Sequence, residues 1–277
     1  MPSVTTSDNV RLDYSESGDP TGRPVVLIAG FKAAATSWLY QLKDLEKAGY
    51  RVITLDTRGH GTSEKPDFGH SMERRGVDLN DFLEQLDLRD AVLVGGSMGG
   101  NTIWAWLSQF SGDRVAGIVV IDQTPKMLND DSWPHGFYGY DATNEQTLFA
   151  AGVPQTGHGT PLAKRGMRLV RLMNTLRKAG GAPSPSYTEG ELTLLLDHAR
   201  KDWRETIAKS TIPVLFVAGD DSEVWPASHA AAAAALAPNG SSTIIAKAGH
   251  ATNIEQPTAF NRAVIDFIGA IGAEHGM

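Results

Sequence analysis

Ser97 stands in the middle of Gly95-Gly96-Ser97-Met98-Gly99, between the apolar run Ala91-Val92-Leu93-Val94 and a helical pattern. A serine on a glycine-flanked turn from strand to helix is mounted as a nucleophile would be. Small residues two before and two after it let the chain turn sharply, and the strained serine lifts its hydroxyl above the sheet edge. That hydroxyl is inert at its free pKa, so an imidazole must take its proton during attack and return it to the leaving group. His250 is placed to be that base, in Ala248-Gly249-His250 directly after the apolar strand pattern at 242–246. Carboxylates lie between the two in the chain, so the order serine, acid, histidine is available.

The elements that must position these residues follow from the hydrophobic pattern. Strands are expected at 10–15, 25–29, 51–56, 91–95, 115–121, 213–218 and 242–246, with helices between them, among them 37–48 and 72–86. Alternating β-rich and amphipathic segments imply a mainly parallel sheet with helices on both faces. Ligand sites on such sheets lie at the carboxyl edge, where these strands end in loops that hold the candidate residues. Between Ile121 and Ile212 the alternation stops for about 90 residues, far more than an ordinary crossover. This stretch carries Trp133, Phe137, Tyr138, Tyr140 and Phe149, a Gly/Pro-rich piece at 152–161, and helical patterns at 162–178 and 188–210. It is expected to form a cap over the active edge.

The chain has 277 residues, a net charge of −7 and no cysteine. Thiol chemistry, thiolate zinc sites and iron–sulfur clusters are therefore excluded. Charges of both signs are spread along the chain, which disfavours a nucleic-acid partner. No apolar run approaches the roughly 18 to 20 residues of a membrane span. The first ten residues lack a basic start and an apolar stretch of signal-peptide type, so a soluble, unexported, cytoplasmic protein is expected. The one basic cluster, Lys164-Arg165, Arg168, Arg171 and Arg177-Lys178, is spaced as a solvated outer helix face, with an anion site as the alternative.

Taken together, Ile28-Ala29-Gly30-Phe31, Asp56-Thr57-Arg58-Gly59-His60-Gly61-Thr62-Ser63, Gly95–Gly99 and Gly249-His250 resemble, in this order, the motifs of the α/β-hydrolase fold superfamily. Within it the chain is similar to the esterase, lactonase and haloperoxidase-like branch. The resemblance implies an α/β fold with a mostly parallel eight-stranded sheet flanked by helices and a helical cap inserted after the sixth strand. It places the core at 1–124 and 211–277 and the cap at 125–210. It also implies that Ser97 is the nucleophile and His250 its base, with backbone N–H groups of Phe31 and Met98 forming an oxyanion hole. The Met98 amide would begin a helix, where free N–H groups and the helix dipole favour a developing oxyanion.

Two positions depart from the family pattern. Relatives often carry histidine before the oxyanion glycine, where this chain has Ala29. Relatives usually place the acid three residues after the glycine ending the seventh strand, and counting from Gly219 gives Ser222, whose hydroxyl cannot stabilise an imidazolium as a carboxylate does. Asp122, at the end of the sixth strand, resembles the acid of branches that include haloalkane dehalogenases and cofactor-free quinolone dioxygenases. Asp221 and Glu223 are the alternatives.

Trp38, Trp133, Phe137 and Tyr138 either line an acyl or aromatic pocket or pack cap against sheet. His60 is expected to hydrogen-bond within its turn, and Asp56 and Arg58 to bind backbone or each other. Histidines 70, 135, 158, 198, 229 and 275 lack metal-ligand spacing and are expected on the surface or in packing, so no metal and no cofactor are expected. The resemblance implies a cofactor-independent serine hydrolase of small or medium carboxylic esters or lactones, working through an acyl-enzyme. Carbon–carbon bond hydrolysis or cofactor-free oxygenation by the His/acid pair is one alternative on this frame, and a ligand receptor of hydrolase shape is another. Dehalogenation would need a carboxylate where Ser97 stands.

Overall fold

Apolar runs with no polar alternation become strands covered on both faces. The computed structural model describes residues 1–274. Within them β1 (Ser3–Thr5), β2 (Arg11–Gly18), β3 (Pro24–Ile28), β4 (Arg51–Leu55), β5 (Ala91–Gly96), β6 (Val115–Ile121), β7 (Val214–Gly219) and β8 (Gly240–Ile245) form one sheet. Its order is β1-β2-β4-β3-β5-β6-β7-β8. The first two strands pair antiparallel, and the rest run parallel. The short β1 has no counterpart among the expected strands, since three residues carry no readable period.

Side chains of the central strands alternate between two apolar layers. Val26, Ile28, Leu93, Ile118, Val120 and Phe216 face one layer, while Val25, Leu27, Val92, Val94, Val119 and Val217 face the other. Of the helices, α1 (Leu42–Lys47) and α9 (Pro257–Glu274) close the second layer, through Leu45, Phe260, Val264 and Ile268. The first layer is closed by α2 (Met72–Gln85) and α3 (Met98–Leu107), and further along the chain by Ile207, Ala230 and Ala233. The expected helix at 37–48 is broken. Ala35–Trp38 is a 3-10 turn that buries Trp38, and the chain then swings so that Gln41 reaches the Asn253 carbonyl and the Asn261 side chain before α1 begins.

Between β6 and β7 the insertion is helical only in its second half. Residues 122–161 form turns and isolated bridges, followed by a 3-10 turn at Leu162–Lys164, α4 (Met167–Lys178), α5 (Glu189–Arg200) and α6 (Arg204–Lys209). The pattern at 188–210 divides because Lys201 turns extended and the next residues pair with the start of the insertion, Asp202 with Lys126 and the Trp203 N–H with the Pro125 carbonyl. The remaining helices are α7 (Ser228–Ala234) and α8 (Thr252–Glu255). Among the described residues no helix is long and apolar enough to cross a membrane.

Candidate active site

Ser97 joins β5 to α3 with φ 52° and ψ −130°, a left-handed conformation costly for any residue with a Cβ. Both flanking glycines are sterically required. A Cβ on Gly95 would lie 2.5 Å from the Gly100 nitrogen, and one on Gly99 would lie 2.3 Å from the Ile28 carbonyl oxygen. The turn is tied to the next strand by the Ser97 N–H, which donates to the Ile121 carbonyl at 2.9 Å. As the first residue of α3, Met98 has an N–H without an intrahelical acceptor. Gly30 lies against Ser97, with a hypothetical Cβ 2.9 Å from the serine Cβ, and this brings the start of the Phe31 loop beside the hydroxyl. Ala29 is buried below that loop.

His250 stands after β8 with Nε2 3.0 Å from the Ser97 Oγ and Nδ1 2.7 Å from an Asp122 carboxylate oxygen. An ionised carboxylate only accepts, so Nδ1 carries the ring proton and Nε2 is free to accept from the serine. Asp122 follows β6 at φ 42° and is fully buried. One of its oxygens accepts from the Gly219 N–H at 3.0 Å and the other from the Ser222 hydroxyl at 2.6 Å. Burial alone would raise this carboxyl, but the imidazoles of His229 and His250 outweigh it and hold it at about 2. His229, buried, approaches to 3.6 Å.

The two alternative acids do other work. Glu223 accepts the backbone N–H of His250 at 2.7 Å, and Asp221 accepts from Arg168 at 2.6 Å and from the Thr160 N–H at 2.8 Å. Ser222, three residues after Gly219, donates its hydroxyl to Asp122.

The expected outer basic face holds at Lys164, Arg177 and Lys178, which are exposed, and is corrected at two arginines. Arg165 and Arg168 are buried and converge on Glu255, at 2.9 and 2.7 Å, while Arg165 also meets Glu223. Glu255 in turn accepts the Gly249 N–H at 3.1 Å, so the insertion grips the loop that carries His250. Meanwhile Met167, Val170 and Met173 of α4 are exposed. The two arginines turn inward because the buried carboxylate of Glu255 needs a counter-charge there.

Ser97 and His250 open on a cavity of about 180 Å³ walled by Phe31, Met98, Phe137, Phe149, Leu195 and Trp225, with His198 among them. A groove of about 550 Å³ between residues 31–37 and 175–191 shares Phe31 with it. Of the four aromatic pocket candidates, Phe137 is in the cavity wall and the other three are not. Trp38 packs in the second core layer, Trp133 packs in the first with its indole N–H on the Thr124 hydroxyl at 2.9 Å, and Tyr138 stacks on His158 at 3.6 Å. Periodicity cannot separate a core aromatic from a cavity aromatic in a segment without regular structure. His198 is expected from the sequence on the surface or in packing, and no sequence signal singles out Trp225.

His60 accordingly bonds within its turn, Nδ1 donating to the Arg58 carbonyl at 2.8 Å. Asp56 accepts from backbone N–H groups of Ala35 and Thr62. Arg58 is held by Asp8 and Asp78, and its expected pairing with Asp56 is absent. Among the described residues no cluster of three or more His, Asp or Glu could hold a metal ion. His275 lies outside the described residues.

The family described as alpha/beta hydrolase fold matches residues 23–257. A non-heme chloroperoxidase of Kitasatospora aureofaciens is 31% identical over 277 residues, covering 97% of this chain and 99% of that protein. A bifunctional esterase/perhydrolase of Acinetobacter calcoaceticus is 29% identical over 239 residues, 82% of this chain and 84% of that protein. Among solved structures, a bromoperoxidase of Bacillus anthracis is similar with a TM-score of 0.77 and 28% identity, over 97% of this chain and 99% of that one.

Proposed function

The chain belongs to the α/β-hydrolase fold family, and from that premise we propose that it is a cofactor-independent serine hydrolase of short carboxylic esters or lactones. The observation that carries this reading is the hydrogen-bonded chain from buried Asp122 through His250 to Ser97, ending at an apolar cavity. Ser97 Oγ attacks the carbonyl carbon while His250 Nε2 takes its proton. Asp122 steadies the resulting imidazolium. The Phe31 and Met98 N–H groups receive the oxyanion, each donor lowering the barrier by about 3 to 4 kcal/mol. Collapse of the tetrahedral intermediate expels the alcohol, protonated by His250, and leaves the acyl group on Ser97. Water, deprotonated by His250, then releases the acid.

A cavity of about 180 Å³ falls below the roughly 300 to 1,000 Å³ of drug-sized sites, which favours short acyl groups. On this chain hydrogen peroxide replacing water at the second step would release a peracid, a side reaction consistent with the names borne by the haloperoxidase and perhydrolase relatives.

The test is initial rates on p-nitrophenyl esters from acetate to palmitate, for wild type and Ser97→Ala. We expect a stoichiometric burst, a preference for the short chains, and a loss of at least ~10⁴-fold in kcat for the variant. Turnover retained in Ser97→Ala but lost in His250→Ala would overturn the acyl-enzyme and point to proton abstraction from the substrate. Background rates on every ester would point to a ligand receptor.

A further inference from the structure

Phe31 supplies an oxyanion donor in the mechanism proposed above, and its ring lies between two others. His60, in the turn after β4, is 6.1 Å away at 63°, and Tyr187 of the insertion stacks on it at 6.2 Å and 10°. The buried residue below this loop is Ala29, which has no polar group to brace it. The residue after Phe31 is Lys32, at φ 55°, a left-handed conformation that favours glycine. A side chain persists at such a φ only where its surroundings hold it. Here they do. The Lys32 side chain is 13% exposed, and its ammonium fills a socket built from residues 186–191. Nζ donates to the Ser186 carbonyl at 2.7 Å and to the Glu191 carboxylate at 3.2 Å, and it stands 4.5 Å above the centre of the Tyr187 ring.

The socket is itself anchored. The same Glu191 oxygen accepts the Thr188 N–H at 2.8 Å and closes the capping box that begins α5. Tyr187 accepts the Val153 N–H on its hydroxyl at 3.3 Å, and Gly152 lies so close that a Cβ there would be 2.1 Å from the ring. Resting on the hydrolase reading, with the Phe31 N–H as oxyanion donor, we propose that Lys32 is a positioning residue for ester hydrolysis. Its ammonium, seated among Ser186, Tyr187 and Glu191, fixes the backbone on either side of Phe31 and so the aim of that N–H. Lys32 does not line the cavity at Ser97 and acts through its neighbour's backbone. Hydrogen bonds to an oxyanion form only as charge develops, and they depend on where the donor points. Loosening the socket should therefore lower kcat and leave KM alone. Acyl transfer to Ser97 and release to water both pass through an oxyanion, so the pattern holds whichever is slower.

The experiment measures kcat and KM on p-nitrophenyl butyrate for wild type, for Lys32→Met, which keeps the stem and removes the cation, and for Lys65→Met, a control on the same groove outside the socket. Each is also titrated with a short alkyl trifluoromethyl ketone, which adds to Ser97 and places an oxyanion where the substrate's forms. In Lys32→Met kcat should fall about 10- to 100-fold with KM within about 2-fold, and the ketone's inhibition constant should rise by a matching factor. Lys65→Met should match wild type. Glu191→Gln keeps an acceptor for the Thr188 N–H and gives up the charge, so it should show the same pattern more weakly, and it decides the matter if circular dichroism finds Lys32→Met unfolded. A kcat within about 2-fold of wild type, a change in KM alone, unchanged ketone binding, or an equal loss in Lys65→Met would overturn the proposal. Each of these leaves Ser97-dependent turnover by wild type, and with it the hydrolase reading, intact. If wild type does not turn over the ester, the hydrolase reading falls and takes the proposal with it.

Discussion

Asp122 meets four donors or imidazoles at once, the Gly219 N–H, the Ser222 hydroxyl, His250 and, at 3.6 Å, His229. Its substitution by asparagine would keep the shape but present the wrong hydrogen-bonding group to Nδ1, and kcat should fall by roughly 10⁴-fold. Ser222 suggests the rescue. Its hydroxyl already reaches the oxygen that His250 uses, so Asp122→Asn with Ser222→Asp should regain at least about 10-fold over the single variant. No regain in steady-state assays would mean that the loop cannot aim a carboxylate at the ring. The pH profile belongs to the same pair. Burial pulls the His250 imidazole down, but the hydrogen bond and charge of Asp122, with Glu223 and Glu255 behind, leave it above its ordinary 6.5. The base must be neutral to act, so kcat/KM should fall as pH drops through a limb lying above 6.5, and that limb should move lower in Asp122→Asn.

At the scale of elements, the loop carrying His250 is held from two sides. Glu223 after β7 takes the His250 N–H, Glu255 of α8 takes the Gly249 N–H, and both carboxylates are gripped by arginines preceding or within α4. Removing one partner of a buried ion pair leaves an uncompensated charge, which typically costs about 3 to 5 kcal/mol. Arg165→Ala should therefore lower the unfolding free energy read from urea denaturation by that much and reduce kcat through a loosened His250 loop. An unfolding free energy within about 0.5 kcal/mol of wild type would show the cluster to be energetically idle. Charge spacing alone pointed these arginines outward. Helical period identifies a face but not its direction, and here Met167, Val170 and Met173 take the outside.

Across the whole molecule, the insertion's own small cluster is completed by Trp225, and other residues of the insertion enter the main core. Trp133, Leu194 and Trp203 join the main apolar layer, while Phe137, Phe149 and Leu195 pack with Trp225 from the loop after β7. With the core so shared, urea unfolding followed by far-UV circular dichroism and by tryptophan fluorescence should give coincident transitions, and separated midpoints would show that the insertion unfolds first. Seven of the eight strands, the glycine-flanked turn at Ser97 and the place of His250 after a strand are readable in the chain alone, because hydrophobic period and local sterics act over a few residues. Which carboxylate meets the imidazole, which aromatics wall the cavity and where Arg165 and Arg168 point emerge with the packed fold. Those outcomes depend on contacts such as Ser222 with Asp122 and His250 with Asp122, between residues 100 and 128 positions apart, brought together by parallel strands that end at one edge.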